Sequence, residues 1–543
     1  MGVLGSLKLK LLKPSAHHSI TPLTHRRSIS WPCKRIPTSS NSMITRKWNC
    51  KRQSFSTSAI SQPLTTSSES CQLNTSTEDG VKEDEEKFNW FEEWYPVAPE
   101  YELDKGVPHA FKVLGLDIVV WWDNKEHEWR VFEDSCPHRR APLSEGRIDE
   151  NGELQCSYHG WCFGSRGECK HIPQAPSDGP PVHTSKRACA GVYPSLLQQG
   201  IIWFWPNTDP HIPPNKTPPF IPMLSNPSSQ ASLTMRDIHY GYEILTENLM
   251  DPSHIPYAHH GLLAPTFRVP SFFKMTQREG KPLDFRVCNL DKSGFDGERD
   301  MGSAIFIAPC IFLMENFPPP PPLTKEKIDT GNGEEKIKSL DILFFCVPVA
   351  PGRSRVIASR NFDTSVFFPQ WITHIRWNLV LDSDLYLLHL EEHILQEHAG
   401  GKWEKACYVP TKGDAFVVAF RKWLKRHSNG GVPWEEKLNN TLPPTPPKEQ
   451  LMDRYQSHVM KCRSCRGALR VLRGLEIITQ NLPILCIAIL GVKATNKQTS
   501  STLCVWNILL VGTALASCLI SQWLSNFIYK TFYFHDYNHA LVK

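Results

Sequence analysis

From residue 88 to about 206 the chain alternates short apolar runs with Gly, Pro, Asn and Asp. Runs such as 116–122 and 200–205 have strand length and turn-forming borders, so this stretch predicts a compact all-β domain. From about 212 to 442 the pattern is mixed. A strand-like run at 340–349 precedes a helical run at 371–396, where Trp377, Leu381, Asp384, Leu388 and Leu395 share one stripe at 100° per residue. Prolines 318–322 and the Lys/Glu/Gly stretch to 338 read as an exposed loop, and a second Pro-rich stretch at 443–447 closes the region. The tail changes character: 499–529 is 31 residues without a charge, and its core, 503–524, is long enough to cross a bilayer. The preceding uncharged run, 477–492, is shorter and interrupted by Gln480, Asn481 and Pro483. Together they predict a membrane hairpin, with one span plus an interfacial helix as the alternative. A hairpin would return residues 535–539 to the main body.

Charge sharpens the N-terminus. The net charge of +5 arises from residues 1–68, which hold eleven Lys/Arg and no Asp or Glu; the remainder has 49 basic against 55 acidic residues. A Ser/Thr/Arg-rich, acid-free leader without a continuous apolar segment reads as an organelle transit peptide, plausibly for the chloroplast. No basic footprint for nucleic acid remains. Seventeen cysteines, several in metal-like or CxxC spacings, favour a reducing compartment. The predicted organisation is a transit peptide at 1–68, an acidic linker at 69–87, an all-β domain at 88–210, a mixed domain at 211–450, a CxxC juxtamembrane segment at 451–475, a membrane hairpin at 476–530 and a tail at 531–543. The fold class is α+β.

Two constellations carry chemistry. Cys136-Pro137-His138 is followed after seventeen residues by Cys156-Ser157-Tyr158-His159. Two mixed Cys/His pairs on two loops suit a 2Fe–2S cluster with thiolates on one iron and imidazoles on the other. A zinc finger would pair Cys with Cys and His with His instead. Gly160 and Trp161 suit a tight turn capped by a bulky shield. Downstream, Asn248, Asp251, His254 and His259 lie in one short run. Asp251 and His254, at i and i+3, would share a helix face, and Pro256 would break the helix so that His259 swings to the same metal. Two imidazoles and one carboxylate form the facial triad of non-haem Fe(II) oxygenases. Asp384, an acid on an apolar stripe, is the expected third ligand, because a buried unpaired charge is costly. Asp382 falls off the stripe and reads as a surface residue; Glu391 is the runner-up ligand, and Asn248 a pocket or supporting residue.

These two motifs, in this order, resemble the Rieske non-haem iron oxygenases. The leader, Cys462-Arg-Ser-Cys465 and the hairpin narrow the resemblance to the plastid branch containing pheophorbide a oxygenase, envelope-translocon Rieske proteins and flavone 8-hydroxylases. The resemblance implies a Rieske domain feeding a helix-grip catalytic domain, with one 2Fe–2S cluster (Cys136, His138, Cys156, His159) and one mononuclear Fe(II) (His254, His259, Asp384). It implies that Asp251 links a cluster histidine to an iron histidine across the boundary of a homotrimer. No Gly-rich dinucleotide fingerprint is present, so electrons come from a separate donor, in a plastid a ferredoxin. The expected reaction is monooxygenation of a small planar aromatic by O₂. Arg140 beside the cluster and the segment 263–275, with Phe267, Phe272 and Phe273, depart from the translocon-type pattern and favour a flavone over a chlorophyll-related tetrapyrrole. A redox-sensing translocon component is the remaining alternative. The expected location is a chloroplast membrane, inner envelope or thylakoid. Cys462 and Cys465, flanked by Arg463, Arg466 and Arg470, are a candidate redox pair, with a zinc half-site or inert thiols as alternatives.

Overall fold

The computed structural model describes residues 87–209, 211–225, 227, 232–260, 262, 282–299, 302–317, 340–360, 369–400, 402–434, 441–495 and 501–541. The expected leader, most of the acidic linker, the loop through 318–338 and Phe267, Phe272 and Phe273 lie outside these residues.

The first part of the chain is all β. Strand Tyr95–Pro99 pairs with Ile201–Phe204, which pairs with Ser195–Gln198. A four-stranded sheet runs His109–Val113, Leu116–Asp123, Glu128–Glu133, Val192–Tyr193. A small sheet of two- and three-residue strands, Arg147–Ile148 to Cys169–His171, stands beside it. Val119, Trp121, Phe132, Leu143, Leu154 and Phe163 form a separate core under that sheet. The hairpin at Leu114-Gly115 has positive φ at both positions, 52° and 82°, a turn whose twist suits a two-residue connection. Both residues donate their N–H groups to the second part of the chain, at Pro348 O and Val349 O.

The second part is a seven-stranded antiparallel sheet in the order Thr234–Ile238, Arg353–Arg360, Leu340–Ala350, Ile311–Phe317, Gly302–Ile307, Gly294–Arg299, Arg286–Asp291. Helix α1, Tyr242–Met250, follows the edge strand, and a short helix α2, Ile255–Ala258, follows α1. Helix α3, Gln370–Ala399, follows strand Arg353–Arg360 and ends on Gly400, whose φ of 56° allows the left-handed cap. Helix α4, Ala415–His427, packs Phe416, Phe420 and Trp423 into the main core.

Two expectations are corrected. The helix through the histidine motif ends at Met250, not at Pro256: Asp251 is extended (φ −106°, ψ 96°) because Pro252 follows it, and a residue before proline avoids the helical region. Pro256 instead sits in the first turn of α2, where its missing N–H removes no hydrogen bond. Asp382 is not a surface residue; it is 1% exposed, because two arginines from distant segments close over its side of α3.

The C-terminal helices are α5, Arg463–Thr495, and α6, Ser501–Ile528. Both are long and apolar enough to cross a membrane, and only 11% of each apolar window is buried, unlike the core helix of a soluble domain. Pro483 lies inside α5 and leaves the carbonyl of Thr479 without its helical N–H. The Ser517 hydroxyl of α6 donates to that carbonyl at 2.8 Å, so the neighbouring helix satisfies the break. At the hairpin's root Cys462, Cys465, Leu469, Leu524, Ile528 and Phe532 form a third core.

Candidate metal centres

Cys136 follows strand Glu128–Glu133, and Cys156 lies between Leu154–Gln155 and Cys162–Phe163. Their loops are closed alike. Cys136 N–H donates to Ala141 O and Arg140 N–H to Cys136 O, both at 2.8 Å; Cys156 N–H donates to Trp161 O at 2.9 Å and Gly160 N–H to Cys156 O at 3.0 Å. Arg140 and Gly160 are therefore equivalent positions, and both have positive φ, 61° and 73°. Arg140 accepts there a conformation that only glycine adopts freely, and its exposed guanidinium pairs with Glu133 at 3.2 Å.

Both thiols are 1% exposed. Burial, with Cys156 beside it, pushes the Cys136 thiol up to about 12. The His138 and His159 rings stand 4.5 Å apart, half-buried, and His138 stacks on Trp161 at 4.7 Å. His138 Nδ1 is buried without a hydrogen-bond partner. Such an atom is rare in a folded protein, and iron ligation would satisfy it. Paired thiols and paired imidazoles fit a cluster of mixed ligation.

The second centre is assembled from α1, the turns after it and α3. His254 Nε2 and His259 Nε2 lie 3.9 Å and 3.6 Å from Asp384 Oδ2, and all three donor atoms fall within 4.8 Å of one another. Each outer imidazole nitrogen is engaged: His254 Nδ1 donates to the Asp251 carbonyl and His259 Nδ1 to Ser383 Oγ at 2.7 Å. Ser383 in turn donates to Val380 O at 2.6 Å. Both rings are thereby fixed with a bare Nε2 turned inward, the tautomer that a metal requires. Burial, then the neighbouring His254, holds His259 down to about 3, so it is neutral. Burial lifts the Asp384 carboxyl to about 8 against a hydrogen bond from Asn248. Its Oδ1 is buried with no partner. Two neutral imidazoles and a buried carboxyl lacking a cation fit a divalent iron.

Asn248 stands at the edge of this triad, its amide 3.5 Å from His254 Nε2. The Asp251 carboxylate caps the turn Pro252–His254 by accepting the Ser253 N–H at 2.8 Å. Glu391 is exposed and lies outside the triad, near Glu247 and Arg421. Sequence reading missed three supports. Asp382 is ion-paired to Arg236 at 2.6 Å and accepts from Arg454 Nε at 2.5 Å. Arg454 also donates to Lys530 O and Thr531 O, so one buried knot joins α3 to the exit of the membrane hairpin. Tyr537 from the tail lies over the histidine turn, its hydroxyl 3.4 Å and 3.3 Å from Ala258 O and His260 O.

The sequence is similar to those of known proteins. A model described as Rieske 2Fe-2S domain matches residues 93–190, and one described as Pheophorbide a oxygenase matches 306–402. Protochlorophyllide-dependent translocon component 52 of Arabidopsis thaliana is 45% identical over 93% of this chain and 95% of its own. Flavonoid 8-hydroxylase 2 of Ocimum basilicum is 47% identical over 84% and 87%, and pheophorbide a oxygenase of Oryza sativa subsp. japonica 34% identical over 89% and 91%.

The chain belongs to the chloroplast Rieske oxygenases of the pheophorbide a oxygenase family. It is an oxidoreductase with a Rieske 2Fe–2S cluster and a mononuclear iron, and the fold is the expected α+β class with a helical hairpin. These relatives are all chloroplastic, and the two apolar helices place this chain at a chloroplast membrane.

Proposed function

We propose that this enzyme hydroxylates a flavone at carbon 8, drawing electrons from a ferredoxin and working as a homotrimer. Cys136, Cys156, His138 and His159 hold the cluster; His254, His259 and Asp384 hold the iron. Residues 88–210 and 211–450 are taken as the electron-delivering and catalytic units, followed by the CxxC segment, hairpin and tail. The observation that carries an oxygenase, rather than a redox sensor, is the buried triad: a sensor has no use for a buried Asp384 whose Oδ2 faces two oriented imidazoles while its Oδ1 has no partner. When loaded, the two groups supply single electrons and activate O₂ so that one oxygen atom enters the substrate and the other leaves as water. The chain's part is to orient. Ser383 and the Asp251 carbonyl hold the two imidazoles by their outer nitrogens. Asn248 holds Asp384 by hydrogen bonding. Asp251, on the turn that carries His254, is the residue proposed to meet a cluster histidine of the adjacent subunit.

The flavone is favoured by the 47% identity to a flavonoid 8-hydroxylase. A chlorophyll-related tetrapyrrole is the second reading, favoured by the protochlorophyllide-dependent and pheophorbide relatives. Competition decides: purified full-length protein with ferredoxin, its reductase, NADPH and O₂ is offered a methoxylated flavone and a chlorophyll precursor together. Hydroxyflavone as the only oxygenated product supports the proposal; oxygenated tetrapyrrole alone transfers the enzyme to pigment metabolism.

A further inference from the structure

The CxxC pair does not stand alone in the fold. Cys462 Sγ lies 3.3 Å from His374 Nδ1, Cys465 Sγ lies 3.4 Å from the same nitrogen, and His458 Nε2 lies 3.3 Å from Cys465 Sγ. All four residues are buried, each at 2% exposure, and their donor atoms fall within 4.8 Å of one another. They come from three places: α3, the turn before Cys462, and the start of α5. We propose that His374, His458, Cys462 and Cys465 bind one structural transition-metal ion, zinc by its donor set, at the root of the membrane hairpin.

Distances fit a single ion. Zinc–sulfur bonds of about 2.3 Å and zinc–nitrogen bonds of about 2.0–2.1 Å place neighbouring donors of a tetrahedron about 3.5 Å apart. The three thiol–imidazole separations are close to that edge. Thiols and imidazoles are interleaved here, which a two-iron cluster of mixed ligation, with its thiolates on one iron and imidazoles on the other, does not permit. His458 is oriented as a ligand: its Nδ1 donates to Met235 O at 2.7 Å, which leaves Nε2 bare toward Cys465. Charge points the same way. Glu102 is 2% exposed beside this group, and its Oε1 is buried without a hydrogen-bond partner while the other oxygen accepts Arg463 N–H at 2.9 Å. A buried carboxyl with an unpartnered oxygen beside two buried thiols is an arrangement that a cation would relieve. Burial also argues against the redox-pair reading, because thiol–disulfide exchange needs an attacking thiolate to reach a sulfur.

The position gives the ion its work. His374 lies on the helix that carries Asp384, His458 is bonded to the edge strand of the catalytic sheet, and both cysteines begin the first membrane helix. One ion would staple the anchor to the catalytic domain.

The test uses the full-length protein in detergent. Elemental analysis is expected to find about one zinc per chain beside about three irons. X-ray absorption at the zinc edge is expected to show two sulfur and two nitrogen neighbours. Cys462→Ser with Cys465→Ser should lower zinc at least tenfold and leave the iron content. His458→Cys should keep the metal and change the shell to three sulfurs and one nitrogen, a gain that misfolding cannot imitate. A wild-type protein that carries no zinc, takes up no Co²⁺ after chelation and yields a Cys462–Cys465 disulfide in peptide mapping would overturn the proposal. So would bound zinc without sulfur neighbours.

Discussion

Two sets of two cysteines and two histidines sit in this chain, and they are built in opposite ways. In the Rieske set each cysteine brings its own histidine within three residues, the two loops have matching backbone hydrogen bonds, and the imidazoles are half-buried. In the set at the hairpin root the cysteines come as a pair, one histidine is four residues away, the other lies 88 residues upstream of Cys462, and all four are sealed. Mixed pairs separate thiols from imidazoles and suit two irons with an edge open to an electron partner. Interleaved donors with no exposed edge suit one ion that holds elements together. Composition alone does not distinguish the sets; order along the chain and depth do.

The largest effects should come from crossing the two sets. Cys156→Ser is expected to erase the cluster's visible and electron spin resonance signals and all turnover, while zinc at the hairpin root stays; zinc lost along with the cluster would make the sets interdependent. His259→Ala should likewise reduce product to background yet leave the cluster spectrum unchanged, measured on the same sample. Next comes the buried knot that both the triad and the hairpin share. Asp382→Ala strands Arg236 and Arg454 in the core, and removing one partner of a buried pair costs about 3–5 kcal/mol. Thermal melting should show a large drop; a shift within a degree or two would mean that the knot is not structural. Arg140→Gly should act in the other direction and more weakly, stabilising by about 1 kcal/mol through relief of the left-handed strain, with metal content unchanged. The smallest change is Ser517→Ala. Losing one interhelical hydrogen bond in the membrane should cost about 0.6 kcal/mol, visible in the hairpin's hydrogen exchange around Thr479 and not in activity.

How much the sequence disclosed follows the same contrast. The expected cluster ligands stand out in the sequence because each Cys/His pair is local. Asp384 was legible because an acid on an apolar stripe has to be explained, and the structure does place it with His254 and His259. Asp382 was misread because a helical wheel assumes one wet face, whereas Arg454, 72 residues further on, covers the other. The end of α1 was misplaced because Pro256 was weighed and Pro252 was not, though both stand in the sequence. At the hairpin root only the two cysteines of the proposed site stood out, by their CxxC spacing; His458, four residues before Cys462, carries no such mark, and His374 meets its partners only by tertiary packing. The same holds for Ser383 and Tyr537, whose roles depend on a partner that the local pattern does not name.

The measurement that bears most directly on the enzyme's identity is turnover under ¹⁸O₂ with ferredoxin, its reductase and NADPH, read by mass spectrometry on the flavone and compared with His259→Ala. The account predicts one labelled oxygen atom in the flavone product of the wild-type protein and none in the variant, both with the same reducible cluster. Labelled product from the variant, or a wild-type protein whose reduced cluster yields no oxygenated product on either the flavone or the tetrapyrrole, would contradict it.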